Sequence, residues 1–346
     1  MFFLKLAFMI WKKVDSILIP NFHSYWKNPF VNKYLRSVHG YAPNERYEGI
    51  LLLRKDKKPI WISHPFNHAQ ARKVIHGAKV VTYAGREELR AILRKNCGKR
   101  IGFDARHTAV STLASFKKHA KGKKFVNIAH DIEELMETKK PEEIENIKCA
   151  VEETRRVLQN IQLSLRPGIR EKEVENLISD EFRNKGFDTA FCIVAFGKNT
   201  SNIHHVSGNE ALTRECPVLI DAGAKWKGYC ADLTISFWFG EKELKSYKEA
   251  MKKVLGVVNS VEGKMKAGVK AKELFALTKP LGKIPHALGH GLGLEVHDVP
   301  SGIGEKSNWK LKKNMVLAIE PGIYTKEFGI RVEHTYVVLE KGTRRL

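Results

Sequence analysis

The sequence is poor in cysteine and has no long uninterrupted apolar segment. Its 346 residues include five cysteines, which are scattered and form no C-x-x-C pair. An odd, scattered set argues against a disulfide framework and a thiolate zinc site, and it favours a reducing compartment. No apolar run approaches the roughly 18 residues that a membrane span requires. We therefore expect a cytoplasmic protein with no membrane span.

One segment has some features of a targeting sequence. Residues 1–11 read MFFLKLAFMIW, but Lys5 interrupts the apolar run and no basic residue precedes it. A cleavage site with small residues, which a secretory signal needs, does not follow. We expect a first helix packed on its own domain, or a segment lying on the surface, rather than a cleaved signal.

Acidic residues are too few to balance the basic ones. The 60 Lys and Arg residues outnumber the 38 Asp and Glu residues, which gives a net charge of +22, and +17 of this lies in residues 1–140. Such an excess can mark a nucleic-acid or anionic-membrane partner. However, the basic residues form short, separated groups without a helix-turn-helix, zinc-finger or aromatic RNA-binding signature. We expect these groups to lie on a solvated surface and not to bind a specific nucleic acid. The alternative is a protein that binds nucleic acid or ribosomes through its basic N-terminal half.

The length favours two domains, and the apolar pattern changes between them. Residues 1–137 alternate strand-like and helix-like stretches, which predicts a small α/β domain. The predicted strands are 14–19, 49–53, 60–63, 80–83, 100–104 and 124–128, and the predicted helices are 87–95 and 111–120.

The second predicted domain, residues 138–346, begins beside Pro141, which suits the first turn of a helix. Helical spacing then alternates with short apolar runs, and the last part of the chain is rich in strands and glycine. The predicted helices are 141–165, 170–185 and 241–264, and the predicted strands are 191–196, 217–221 and 230–239.

Four acidic residues of the second domain each follow an apolar, strand-like run. Asp221 ends VLID, and Asp232 lies in the next strand beyond a turn, so pairing of these strands would bring the two carboxylates together. Glu320 and Glu333 repeat the pattern after MVLAI and GIRV. A surface ion pair explains one such acid, but burying four without cations between them costs too much. Two divalent ions would leave the cluster near neutral.

A segment rich in histidine and glycine supplies further candidate ligands. His286, His290 and His297 fall within twelve residues, and His204 and His205 lie upstream. Four carboxylates and one histidine suit Mn²⁺, Co²⁺, Fe²⁺ or Zn²⁺. Two such ions about 3.5–4 Å apart form the arrangement used for metal-assisted hydrolysis. The residues themselves therefore indicate a dinuclear metal site.

At these motifs the chain resembles the pita-bread metallopeptidases, in the branch that contains Xaa-Pro dipeptidase (prolidase) and aminopeptidase P. The resemblance covers nearly the whole chain and rests on LIDAGAKWKGYCADLT, HALGHGLGLEVHD, MVLAIEPGIY and GIRVEHTYVV, in the family's order. It implies a creatinase-type N-terminal α/β domain followed by a pita-bread catalytic domain, an α/β + α+β fold. It also implies a metal-dependent hydrolase with two divalent ions per chain. Mn²⁺ and Co²⁺ are favoured, with Zn²⁺ and Fe²⁺ as the other candidates.

The resemblance assigns the metal ligands residue by residue. It implies that Asp232 and Glu333 bridge the two ions, while Asp221 completes one ion's ligands and His290 and Glu320 hold the other. Glu320 would also take a proton from the attacking water and return it to the leaving nitrogen.

The resemblance also assigns residues around the metals. His204 matches the histidine that lies near the substrate carbonyl and stabilises the oxyanion, and His297 matches a second histidine on the substrate side. His286 and Arg331 would support the ligands from outside, and His205 is interpreted as a bystander.

The implied activity is an exopeptidase that cleaves the Xaa-Pro bond of proline-containing peptides, within a homodimer. Prolidases of this branch usually carry an arginine where this chain has Ser301, and that arginine contacts the free carboxylate of a dipeptide. We therefore expect Xaa-Pro-Yaa peptides to be cleaved at least as well as Xaa-Pro dipeptides. The native metal, the residue preferred before proline and the role of the basic first domain stay open.

Overall fold

A computed structural model describes residues 10–21, 48–75 and 77–346 of the chain. The chain divides into two compact units, residues 1–136 and residues 137–346. Most of the apolar segment 1–11, interpreted above as a helix or a surface segment, lies outside the described residues. Among the described residues, none of the helices combines the length and the apolar character that a membrane crossing needs.

The described part of the N-terminal unit is built on one sheet. Its strands β1 to β6 span Ser16–Asn21, Gly49–Arg54, Lys57–Ser63, Lys79–Thr82, Arg100–Phe103 and Lys124–Asn127. Its helices α1 to α4 span Pro65–Val74, Arg86–Asn96, Val110–His119 and Ala129–Met136. The strand order is β4-β3-β2-β1-β5-β6. The pairs β1–β2 and β2–β3 are antiparallel, and the other three pairs are parallel.

The central strands of this sheet are buried because helices cover them. Every residue of β1 is buried, and β2 is buried except at its last residue. Helix α2 turns Leu89 and Leu93, one helical turn apart, into the cluster that contains Ile101 of β5. The predicted strands and helices of this unit are confirmed to within a few residues. Helices α1 and α4 were not predicted.

The C-terminal unit contains antiparallel strands and longer helices. Strands β7 to β16 span Asp188–Phe196, Cys216–Trp226, Tyr229–Cys230, Leu233–Phe239, Gly289–Gly291, Val316–Ile319, Gly322–Tyr324, Gly329–Arg331, His334–Leu339 and Gly342–Arg345. Helices α5 to α8 span Pro141–Ser164, Glu171–Asn184, Lys245–Lys264 and Ala271–Phe275. Two 3₁₀ segments span Gly197–Ser201 and Ala276–Leu281.

Two four-stranded sheets and a hairpin organise this unit. One sheet has the order β10-β8-β7 with β9 paired to β8, the other has the order β11-β12-β15-β16, and β13 pairs with β14. Helices α5 and α6 pack on the first sheet, as shown by Ile147 of α5 and Ile178 of α6 in one buried cluster with Val218. Helix α7 packs on the second sheet through Val261, which shares a cluster with Leu317.

Three elements of this unit differ clearly from the sequence-based prediction. Strand β8 continues to Trp226, beyond the predicted end at residue 221. The predicted strand 230–239 is interrupted, since β9 ends at Cys230 and β10 begins at Leu233, so Asp232 lies between strands. The helix predicted from residue 241 begins at Lys245. The Glu215 carboxylate accepts the backbone N–H groups of Glu241 and Lys242 at 3.2 and 2.9 Å, which holds this segment as a turn.

Candidate metal centre and active site

Three buried side chains form the centre of the site. Asp232, His290 and Glu333 each offer one ligand atom, and these atoms all lie within 4.8 Å of one another. Nε2 of His290 lies 3.4 Å from Oδ2 of Asp232 and 3.7 Å from Oε1 of Glu320. Glu320 therefore approaches the centre from the side of His290. The structure thus gathers three of the other four predicted ligands around the imidazole of His290.

Strand pairing carries these residues to one place. His290 is the middle residue of β11 and pairs with Ala318 of β12, which is followed by Glu320. A Cβ atom on Gly289 would lie 2.1 Å from the carbonyl oxygen of Ala318, so only glycine lets β11 approach β12 this closely. The backbone N–H of Glu320 donates to the carbonyl of Leu288 at 2.8 Å. This contact fixes the position of the acid that follows the strand.

The first two acids come together on the other sheet as the sequence predicted. Asp221 of β8 pairs in register with Thr234 of β10, two residues after Asp232. A Cβ atom on Gly223 would lie 2.0 Å from the carbonyl oxygen of Ala231, so a side chain at residue 223 would displace the segment that carries Asp232. The predicted hairpin is therefore confirmed, and glycine is required where its two arms meet most closely.

Asp221 approaches the site from the side of Arg331. Its Oδ2 accepts a 2.6 Å hydrogen bond from Nη2 of Arg331, while its Oδ1 is buried without a hydrogen-bond partner in the described structure. Nε of Arg331 donates to the hydroxyl of Thr234 at 3.2 Å, and that hydroxyl donates to Oε2 of Glu333 at 2.7 Å. Arg331 and Thr234 thus orient one acid from each pair of strands.

A chain of hydrogen bonds leads from Arg331 to His286. Nη1 of Arg331 donates to the hydroxyl of Tyr324 at 2.9 Å, and that hydroxyl lies 3.0 Å from Nε2 of His286. Nδ1 of His286 lies 2.7 Å from the carbonyl oxygen of Ala287. A carbonyl only accepts, so Nδ1 carries a hydrogen and Nε2 of the neutral ring accepts from Tyr324. Sequence reasoning missed Tyr324, which the hairpin β13–β14 places beside the strand of Arg331.

Burial dominates the electrostatics of the acids. It raises the pKa of Asp232 and the pKa of Glu320 well above their usual values, and the negative charge of Glu333 adds to both shifts. Burial, and then the charge of Asp221, raises the pKa of Glu333 to about 8. These carboxyl groups cannot all ionise together without a cation between them. The cluster therefore has the electrostatics of a cation site.

The histidine is in the form that a metal ligand needs. Burial, and then the positive charge of His297, lowers the pKa of His290 to about 4, so its ring is neutral at physiological pH. Nδ1 of His290 donates to the carbonyl of Gly291 at 3.1 Å, which leaves the lone pair of Nε2 facing Asp232 and Glu320. A neutral imidazole, carboxylate oxygens and the unpartnered Oδ1 of Asp221 make a donor set that fits hard to borderline divalent ions.

Two predicted histidines lie on the exposed side of the cluster. His204 and His297 are exposed, and the rings of His290 and His297 lie 4.1 Å apart between centroids. Burial, and then the charge of His204, lowers the pKa of His297. The charge of His204 also contributes to the lowered pKa of His286, after burial and the charge of Arg331. His204 therefore lies within electrostatic reach of both histidines.

The loop that carries His297 is anchored by a buried lysine. Lys139 is 3% exposed, and its Nζ donates to the carbonyl of Val299 at 3.0 Å and lies 3.8 Å from Oδ2 of Asp298. The Asp298 carboxylate also accepts the backbone N–H of Leu294 at 3.1 Å. Ser301 follows in the same loop and is exposed. The loop of His297 is thus held by a residue near the start of the C-terminal unit.

Comparison with known proteins agrees with this architecture. Metallopeptidase family M24 matches residues 145–340, and the creatinase/prolidase N-terminal domain matches residues 35–135. An uncharacterized peptidase of Bacillus subtilis is 33% identical over 262 residues, which are 72% of each chain. An Xaa-Pro dipeptidase of Pyrococcus furiosus is 32% identical over 249 residues, which are 68% of this chain and 70% of that protein.

Solved structures show the same fold over nearly the whole chain. The Xaa-Pro dipeptidase of Bacillus anthracis has a TM-score of 0.88 at 26% identity, covering 99% of this chain and 96% of that one. The X-Pro aminopeptidase of Thermotoga maritima has a TM-score of 0.85 at 27% identity, covering 96% and 95%. The predicted fold, a creatinase-type domain followed by a pita-bread domain, is confirmed. The chain belongs to metallopeptidase family M24.

Proposed function

We propose that this chain is a dinuclear-metal exopeptidase that hydrolyses the Xaa-Pro bond of proline-containing peptides. The observation that supports it best is the buried group of Asp232, His290 and Glu333, with Glu320 beside it and the unpartnered Oδ1 of Asp221. These five residues would hold two divalent ions. Solved structures of similar fold include both Xaa-Pro dipeptidases and an X-Pro aminopeptidase.

Two divalent ions would supply a water molecule activated near neutral pH and would polarise the carbonyl group of the scissile bond. The protein's own groups handle the protons. The Glu320 carboxylate would accept the proton of the attacking water and pass it to the leaving nitrogen of proline. This transfer matters here because the nitrogen of an Xaa-Pro bond is a tertiary amide without a hydrogen.

The remaining side chains would orient the reacting groups. His204 would donate a hydrogen bond to the oxygen of the carbonyl as negative charge develops there. His297, beside His290, would contact the substrate on the same side. Arg331 and Thr234 would hold Asp221 and Glu333 in place through the hydrogen bonds described above. Tyr324 and His286 extend this support.

Metal content tests the ligand set. We expect two divalent ions per chain by elemental analysis, loss of activity with a chelator, and recovery with Mn²⁺ or Co²⁺. Asp232→Ala should empty the site because Asp232 is proposed to contact both ions. Glu215→Gln is the matched control, since the Glu215 carboxylate binds N–H groups of a turn outside the site. A purified protein without metal whose peptidase activity survives chelation would contradict the proposal.

Peptide length tests the specificity. Ser301 supplies no positive charge at the position where a dipeptide's carboxylate is expected, and a charge-assisted hydrogen bond contributes about 1.5–3 kcal/mol. We expect Ala-Pro-Ala to be cleaved at least as well as Ala-Pro. Ser301→Arg should raise kcat/KM for Ala-Pro roughly tenfold or more, whereas Ser301→Gln, of similar length without charge, should not. Cleavage of the dipeptide alone would identify a prolidase with a different anchor.

We also propose that the protein works as a homodimer in the cytoplasm. The five cysteines are all free, which suits a reducing compartment. Light scattering of the purified protein should give twice the mass of one chain, and a monomer at micromolar concentration would contradict the dimer.

A further inference from the structure

A buried carboxylate outside the metal centre collects four hydrogen bonds from one loop. Glu171 is fully buried at the first position of α6. Its Oε1 accepts from the backbone N–H of Phe196 at 2.8 Å and from the side-chain amide of Asn199 at 2.9 Å. Its Oε2 accepts from Nε2 of His205 at 2.8 Å and from the backbone N–H of Gly208 at 2.9 Å. The carboxylate therefore joins both ends of residues 196–208.

This carboxylate is not needed to cap its own helix. The first turn of α6 is capped by Glu173, whose Oε2 accepts the backbone N–H of Arg170 at 2.8 Å. All four bonds of Glu171 go to the loop instead. Burying a carboxylate is unfavourable unless its acceptor sites are satisfied, and the loop provides a donor for each of them. The arrangement therefore orders the loop rather than the helix.

The ordered loop carries His204. His205 follows it directly, and the side chain of His205 is turned inward to Glu171 with only 13% exposure, whereas His204 is exposed. On the other side of His204, the carbonyl of Ile203 lies 3.5 Å from Nη1 of Arg331. The backbone of His204 is therefore flanked by a contact to the metal-site arginine and by the bond to Glu171.

We propose that Glu171 and His205 are positioning residues that hold the imidazole of His204 where the developing oxyanion forms. The proposal rests on the proposed function for the role of His204. In this proposal, Glu171 and His205 contact neither the substrate nor the metal ions. Glu171 fixes the backbone on both sides of His204, and His205 links the next residue to Glu171. This matters because a loop that moves by about 1 Å can lower the rate about 100-fold.

Two variants separate this role from simple destabilisation. Glu171→Gln places an amide opposite two of the four donors, and His205→Phe removes a single donor while keeping a ring. His205→Gln keeps a hydrogen-bond donor to Glu171, so its kcat should be higher than that of His205→Phe. Glu173→Gln is the matched control, because it makes the same substitution in the same helical turn without touching the loop. If Glu171→Gln does not fold, His205→Phe alone carries the comparison.

Kinetics with the metal-loaded enzyme give the first measurement. We expect Glu171→Gln and His205→Phe to lower kcat for Ala-Pro-Ala about 10- to 100-fold. KM should change less than about twofold and the metal content should stay at the wild-type level. In a His204→Ala background the same changes should have no further effect on kcat. Losses that multiply with His204→Ala, or a lost metal, would overturn the proposal.

Hydrogen–deuterium exchange gives the second measurement and does not depend on activity. The two variants should speed exchange in residues 196–208 while the strand Cys216–Trp226 keeps its protection, and Glu173→Gln should leave residues 196–208 unchanged. Unchanged exchange in the loop would overturn the proposal. A wild-type enzyme that cleaves no Xaa-Pro peptide would refute the proposed function. The exchange result would still decide whether Glu171 holds the loop.

Discussion

We expect the free energy of unfolding of the metal-free protein to fall as the pH rises from 6.5 to about 8. Without metal, burial and then the charge of Asp221 raise the pKa of Glu333 to about 8, against 4.5 for an ordinary glutamate. The folded chain therefore keeps a proton that the unfolded chain has released. A raised folded-state pKa stabilises the protein at low pH, and this stabilisation is lost as the pH rises through that pKa.

Above pH 6.5 the pH dependence of the unfolding free energy reports on the acids and no longer on the histidines. Burial lowers the pKa of His290 and the pKa of His334 to about 4, so these rings add stability only as the pH rises to their ordinary value of 6.5. From there to pH 8, the loss from Glu333 is on the order of 2 kcal/mol, at about 1.4 kcal/mol per pH unit. The raised pKa values of Asp232 and Glu320 act in the same direction.

Urea unfolding followed by tryptophan fluorescence measures this change. Chelated protein should lose unfolding free energy across this pH range, and an excess of Mn²⁺ should abolish the loss because metal binding requires ionised carboxylates. Glu333→Gln removes one of the titrating groups and should make the loss of unfolding free energy in the chelated protein smaller. A chelated wild-type protein whose unfolding free energy stays constant or rises from pH 6.5 to 8 would refute the reasoning.

Three further predictions concern the site and the basic unit. Gly289→Ala should lower both metal content and the thermal midpoint, because its Cβ would lie 2.1 Å from the Ala318 carbonyl oxygen, and wild-type metal content would contradict the close approach. His204→Ala should keep both metals by elemental analysis while kcat falls, and an emptied site would make it a ligand instead. In a gel mobility-shift assay at about 0.15 M salt, the protein should bind duplex DNA or RNA only weakly. Tight binding that survives higher salt would favour the nucleic-acid alternative.

Most of the fold could be predicted from short apolar runs and from the proline and glycine residues that end helices and strands. Strands such as Gly49–Arg54 are nearly continuous apolar runs because they are buried on both faces. Helix α1 left no such signal, since Ala71 is buried but most of its other side chains are polar or exposed. A helix without an apolar stripe has no 3.6-residue pattern that a sequence can reveal.

The acids of the site were predictable and their supports were not. Burying several carboxylates together without cations is costly, so four acids that each follow a buried-looking strand, Asp221 and Glu333 among them, stand out in the sequence. Tyr324 and Glu171 look ordinary there, because a tyrosine in a strand and a glutamate in the first turn of a helix need no special explanation. Their roles come from partners far along the chain, such as His286 for Tyr324 and His205 for Glu171.

The buried ammonium of Lys139 restricts where this protein can be cut and recombined. The division between the two units falls after residue 136, and Lys139, three residues later, anchors the carbonyl of Val299 in the loop that carries His297. A chimera that joins a foreign first unit to this C-terminal unit at Pro141 would therefore discard part of the support of the His297 loop. A crossover before Glu137 keeps that support, so useful exchanges of the first unit are confined to junctions upstream of the boundary.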